Sequence, residues 1–120
     1  HCPLTPETRH LIGAPQLAQM RRDAVLVNTS RGAVVDEAAL VDAVRDGVIA
    51  GAALDVFERE PELHPGLGAL ANVLLVPHLG SATVAVREAM GLSAAAALRA
   101  VLLERRLPPN AVNAVPVPRA

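Results

Sequence analysis

Apolar residues in this chain come in short runs divided by turn formers, and the spacing within each run differs. Ala24-Val25-Leu26-Val27 is continuous, too short for a helix and rich in β-branched side chains, which predicts a strand buried on both faces. Val73-Leu74-Leu75-Val76 predicts another buried strand of the same kind. Ile49 to Val56 (IAGAALDV) predicts a third, made of small residues where a helix packs closely. Between the first two strands in sequence, Leu40, Val41 and Val44 recur at helical spacing. They predict a helix over Glu37–Asp46, capped by Asp36 and closed by Gly47. A short helix is expected over Pro15–Arg22. A long one is expected from Thr83 to Arg105, with Met90, Ala94, Leu98, Val101 and Leu102 on one stripe. Thr5-Pro6-Glu7 reads as an N-cap, a first-turn proline and a first-turn acid.

Apolar strands alternating with helices predict an α/β layered fold around a parallel sheet. In an open parallel sheet, ligands bind beyond the carboxyl ends of the strands. The polar residues gather there. The first strand runs into Asn28-Thr29-Ser30-Arg31-Gly32, the second into Asp55 with Glu60 beyond it, and the third into Pro77-His78-Leu79-Gly80-Ser81. One predicted edge therefore receives an arginine, two carboxylates and a histidine. Taken singly, each has a plainer reading: Arg31 as a solvated loop residue, Asp55 as a turn former, Glu60 as part of a charged run, His78 as a satisfied core histidine. Their shared edge is what makes the set informative.

Composition narrows the classes. With 120 residues the chain is long enough for one domain with a real core, burying roughly two-thirds of its unfolded surface. It is 52% hydrophobic and 19% charged, which excludes a disordered tail. A net charge of −1 gives no basis for binding nucleic acid or an anionic membrane surface. Cys2 is the lone cysteine, so an internal disulfide framework is excluded. His1, His10, His64 and His78 lack metal-ligand spacing, and no metal site is expected. No apolar run approaches the roughly 18 residues of a membrane span, and no signal peptide is visible, so a cytoplasmic protein is expected.

Four segments, HCPLTPETRHLI, VLVNTSRGAVVDEAAL, AALDVFEREP and VLLVPHLGSAT, carry a more specific signal. Together and in this order they resemble the D-2-hydroxyacid dehydrogenase family, which includes glyoxylate/hydroxypyruvate reductases and phosphoglycerate dehydrogenases. The likeness runs almost continuously from His1 to about Asn113. It implies the C-terminal half of a doubly wound, Rossmann-like NAD(P)-binding domain over 1–106, with three parallel strands, flanking helices and a long C-terminal helix. A proline-containing tail over 107–120 would follow. It implies that Arg31, Glu60 and His78 are the catalytic arginine, glutamate and histidine. It further implies that Cys2, Thr29, Ser30, Arg31, Asp55, His78, Leu79, Gly80 and Ser81 contact NAD or NADP.

The implied chemistry suits these residue types. His78 would give a proton to the oxygen of a 2-keto acid, and Arg31 would grip the substrate carboxylate. Glu60 would accept a hydrogen bond from the other ring nitrogen, and a raised pKa would leave it partly protonated. Asp55 would hold the nicotinamide carboxamide. Related formate dehydrogenases carry glutamine where Glu60 stands, so the acid favours a small 2-hydroxy or 2-keto acid.

The departures point to a fragment. No G-x-G-x-x-G occurs in the chain, and it begins at His1 rather than methionine. A longer parent enzyme, working as a homodimer, is the expectation. The alternatives are a non-catalytic, dinucleotide-binding interaction module of the corepressor type, or an inactive fragment.

Overall fold

The computed structural model describes residues 1–113. Two compact units divide the chain, His1–Gly80 and the residues from Ser81 on.

The first unit holds a three-stranded parallel sheet of order β1-β2-β3, formed by β1 (Val25–Asn28), β2 (Gly51–Leu54) and β3 (Val73–Leu75). Helix α2 (Glu37–Arg45) connects β1 to β2, and α1 (Ala14–Leu17), which precedes β1, shares its core. Short 3-10 turns lie at Gly32–Val34 and Leu67–Ala69. The α/β, Rossmann-like reading of the sequence therefore holds, with β1 displaced by one residue from its apolar run and β2 and β3 shorter than theirs. Register aligns Val27 with Ala53 and Ala53 with Leu74.

Helix α2 shows why the sequence folds locally as it does. The Asp36 side chain accepts the Ala39 N–H at 3.0 Å, capping the start. Gly47 adopts φ +69°, a left-handed conformation suited to a residue without a side chain, and ends the helix. Leu40, Val41 and Val44 lie buried with Leu17, Val35, Ile49, Ala52, Leu54 and Leu67 in one core. Leu17, Leu40 and Leu67 are fully enclosed, each contributing about 1.5–3 kcal/mol of transfer free energy.

Four local expectations need correction. The strands are covered on one face only: Val25 is 57%, Val27 64% and Leu74 63% exposed. Successive residues of a strand point to opposite sides, and the helical layer of this unit packs on the side of Ala52 and Leu54. The helix expected over Pro15–Arg22 stops at Leu17. The segment opened by Thr5-Pro6-Glu7 is a turn rather than a helix, with the Thr8 and Arg9 N–H groups donating to the Thr5 carbonyl.

The fourth correction lies in the second unit, which holds α3 (Val84–Leu102), capped by Thr83 through the Val86 N–H at 3.3 Å. The helix ends three residues before the expected Arg105, and of its apolar stripe Met90, Leu98 and Leu102 are more than half exposed. Beyond it, the Ala111 N–H closes a turn on the Pro108 carbonyl at 3.1 Å. The tail residues Pro116 and Pro118 lie outside the described residues. Among those described, no helix is long and apolar enough to cross a membrane.

Candidate functional site

The loops beyond the carboxyl ends of β1, β2 and β3 carry the polar residues singled out above. Each loop has its own internal support.

After β1, Asn28 is buried and organises the turn. Its Oδ1 accepts the Ser30 N–H at 3.1 Å and the Ser30 hydroxyl at 2.8 Å, while its Nδ2 donates to the Arg31 carbonyl at 3.0 Å. This is an asparagine folding its own chain around a side-chain amide. Arg31 is exposed, and one guanidinium nitrogen donates to the Ser30 carbonyl at 2.6 Å. Cys2, Thr29, Ser30 and Arg31 line one cleft of about 530 Å³ with His1, Pro3 and Leu4. Immediately after Arg31, Gly32 abuts the Phe57–Glu58 peptide so closely that a Cβ would overlap the Phe57 carbonyl group.

After β2, Asp55 is 7% exposed, and both of its oxygens are engaged. Oδ1 accepts the Leu79 N–H at 2.6 Å and Oδ2 the Gly80 N–H at 2.9 Å. The carboxylate thereby grips the loop after β3, in which His78 adopts a left-handed φ of +53°. That conformation costs an L-residue about 1–2 kcal/mol. The two charge-assisted hydrogen bonds beside it offset the strain.

Glu60 and His78 meet. The Glu60 Oε2 lies 2.9 Å from His78 Nδ1, and the Glu60 Oε1 accepts the Phe57 N–H at 3.0 Å. The hydrogen bond from His78, then the Phe57 amide, hold the Glu60 carboxyl below its ordinary range, and the Arg31 charge adds to this. The expectation of a raised, partly protonated Glu60 is thus overturned. A carboxylate kept this close to an imidazole and an amide, with little burial opposing them, is stabilised in its charged form. Because its folded-state pKa is depressed, the Glu60 carboxyl keeps its charge as pH falls and takes a proton only below the usual carboxylate range. Nδ1 is the ring nitrogen that faces the carboxylate and donates to it, so Nε2 is the one not engaged in that bond. Glu60, His78, Phe57, Pro61, Leu63, Leu75, Val76 and Pro77 line a mostly apolar cleft of about 330 Å³.

The structure thus brings Cys2, Thr29, Ser30 and Arg31 along one cleft, pairs Glu60 with His78, and joins Asp55 to Leu79 and Gly80. Ser81 is the first residue of the second unit and is partly buried. Sequence reasoning missed the roles of Asn28, Gly32, Glu37 and Glu58. Of these, Asn28 carried a readable signal, since an asparagine at a strand end before Thr-Ser favours a side-chain-closed turn.

Comparison with known proteins follows the same lines. The family described as "D-isomer specific 2-hydroxyacid dehydrogenase, NAD binding domain" matches residues 1–80. A glyoxylate reductase of Thermococcus litoralis is 52% identical over 113 residues, which cover 94% of this chain and 34% of that protein. A D-3-phosphoglycerate dehydrogenase of Methanocaldococcus jannaschii is 44% identical over 119 residues, 99% of this chain and 22% of that protein. Among solved structures, an NADPH-dependent glyoxylate/hydroxypyruvate reductase of Sinorhizobium meliloti, in complex with NADP and malonate, superposes with a TM-score of 0.83. It is 39% identical, over 99% of this chain and 37% of that one. The chain spans about a third of the length of the first of these relatives.

Proposed function

Because the chain belongs to the D-isomer specific 2-hydroxyacid dehydrogenases through their NAD-binding domain, we propose that it supplies the proton donor and substrate arginine of a whole enzyme. That enzyme interconverts a small 2-keto acid, such as glyoxylate or hydroxypyruvate, and the D-2-hydroxy acid. The observation that carries this reading is the 2.9 Å bond between His78 Nδ1 and the Glu60 carboxylate, on the strand-end edge that also bears Arg31.

Within this reading Cys2, Thr29, Ser30, Arg31, Asp55, His78, Leu79, Gly80 and Ser81 hold NAD or NADP. The donor set fits such a group. Thr29 lines one cleft with Arg31, and Ser30 beside them, its hydroxyl proton given to Asn28, offers an acceptor oxygen. Each Asp55 oxygen accepts one backbone N–H and retains a second lone pair, the acceptor that a carboxamide NH₂ requires. When bound, the coenzyme supplies or takes up the hydride. The protein's own residues do the rest. Arg31 binds the substrate carboxylate through its planar fork of donors. His78 delivers a proton from Nε2 to the substrate carbonyl oxygen as the carbonyl carbon is reduced, and reclaims it in the reverse direction. Glu60 fixes the ring orientation and stabilises imidazolium before the proton leaves. We assign residues 1–106 to this coenzyme domain and 107–120 to a tail, and the whole protein to a cytoplasmic homodimer.

His78→Ala, made in the protein as its gene encodes it, tests the assignment. Turnover with a 2-keto acid and NAD(P)H should fall about 10²–10⁴-fold, the scale of losing a general acid. Coenzyme affinity measured by fluorescence titration should fall far less than turnover, since His78 is one of several residues on the coenzyme but the sole proton donor. Turnover at the unsubstituted rate would refute the role of His78.

A further inference from the structure

We propose that Glu58 and Glu37 are positioning residues for the Glu60–His78 pair, acting through an exchange in which each carboxylate accepts the other residue's backbone N–H. The Glu37 N–H donates to Glu58 Oε1 at 3.1 Å, and the Glu58 N–H donates to Glu37 Oε1 at 2.8 Å. The exchange stitches the loop that carries Glu60 to the first residue of α2. It rests on the reading of His78 and Glu60 as an acid and its orienter.

The loop after β2 needs such an anchor. Its own hydrogen bonds close inward, from the Phe57 N–H to Glu60 Oε1 at 3.0 Å and from the Glu62 N–H to the Arg59 carbonyl at 2.8 Å. Besides the packing of Phe57 against the core and the Glu60–His78 bond itself, attachment to the rest of the unit comes through Glu58, through the Asp55 clamp before it, and through the close approach of Gly32 to the Phe57 carbonyl. The last contact sits one residue after Arg31, so the arginine loop and the glutamate loop meet there, backbone against backbone. Glu37 then lies at the start of α2, where a carboxylate in the first turn also complements the helix dipole.

The charges around the exchange suit a fixed support. Glu58 is met by His10 Nε2 at 3.0 Å and by the Arg9 guanidinium at 3.5 Å. Burial pushes the Glu58 carboxyl up, but the Glu37 amide, His10 and Arg9 together hold it below its ordinary value. Glu37 is 5% exposed, and burial pushes its carboxyl up against the help of the Glu58 amide. Two carboxylates face each other here because each is partly neutralised by the other's N–H. Reach, more than charge, is what the stitch requires. Glu60 stands two residues beyond Glu58, with one oxygen already held inside its own turn. If Glu58 lets go, the turn swings and the bond to His78 is the one that lengthens.

Two substitutions separate reach from charge in the protein as its gene encodes it. Glu58→Asp keeps the charge opposite His10 and Arg9 but falls about 1.5 Å short of Glu37. Glu58→Gln keeps the length and an acceptor oxygen but loses the charge. For E58D, the Glu37 amide, which donates to Glu58 Oε1, should exchange about tenfold faster, the loss of roughly one hydrogen bond. The Glu60 carboxyl carbon, followed by NMR, should titrate closer to the ordinary carboxylate range. kcat for 2-keto acid reduction should fall about tenfold, with KM for coenzyme unchanged. E58Q should stay within about twofold of the unsubstituted protein in rate and exchange. E58Q impaired with E58D intact overturns the proposal, as do equal impairment and no impairment of both. Exchange and titration are read without turnover. An unsubstituted protein that reduces no 2-keto acid, yet yields the expected NMR contrast, refutes the functional reading and leaves the stitch standing. An active protein whose variants show no contrast does the reverse.

Discussion

Asp55 does at one residue what the site needs at several: it converts backbone into a rigid frame. Its oxygens take the Leu79 and Gly80 N–H groups at 2.6 and 2.9 Å, beside a histidine held at positive φ. Asparagine has nearly the same shape but offers one acceptor oxygen and one donor group, so it satisfies one N–H and opposes the other. Asp55→Asn should lower stability by about 1–3 kcal/mol, because a buried donor is left unpaired. Urea denaturation would show this as a lower midpoint at constant slope, and amide exchange would place the loss at Leu79 and Gly80. The aspartate was visible in the sequence as a strand-end acid. Its two backbone partners were not, since they lie 24 and 25 residues away and only the parallel register of β2 with β3 brings them near.

At the scale of elements, α2 was the most legible part of the chain. Its cap, its apolar spacing and its terminal glycine all agree with one helix, and agreement between local and tertiary preference is what makes an element readable. Asp36→Ala should cost about 1 kcal/mol through loss of the acceptor for the Ala39 N–H, measured as a shift in the thermal or urea midpoint. Helix α1 was less legible. Leu17 and Met20 both pack on the core, and the chain between them closes in turns through the Gln19 and Met20 N–H groups, so tertiary packing ends the helix before its sequence does. The strands were readable as strands but not as half-covered ones, because a short apolar run does not report how many of its faces are packed.

For the whole first unit, the consequence is an apolar sheet face carrying Val25, Val27 and Leu74, each more than half exposed. Among the described residues, β1 and β3 also have no further strand beside them. Exposed apolar faces and unpaired strand edges drive association. The 120-residue chain expressed by itself should therefore self-associate with rising concentration. Val27→Thr combined with Leu74→Thr should weaken that association, seen as a smaller mass by light scattering. The double substitution should change stability by under about 1 kcal/mol, since surface positions away from packed groups carry little of it. An unchanged mass would show that this face is not where the chains meet.

The sequence by itself determined the α/β class, the position and hand-off of each strand into a polar loop, and the set Arg31, Asp55, Glu60 and His78 on one edge. These follow from hydrophobic period and from residue type, which are local properties. Only the tertiary structure decided who touches whom. It gave Glu60 its imidazole and amide partners and so its lowered pKa, turned Asp55 onto two N–H groups, and joined Glu37 to Glu58 across 21 residues. Hydrogen bonds at such separations depend on the register of parallel strands and the seating of a helix. Those are fixed by the burial of Leu17, Leu40, Ile49 and Leu67 in one shared core rather than by the residues that make the bonds.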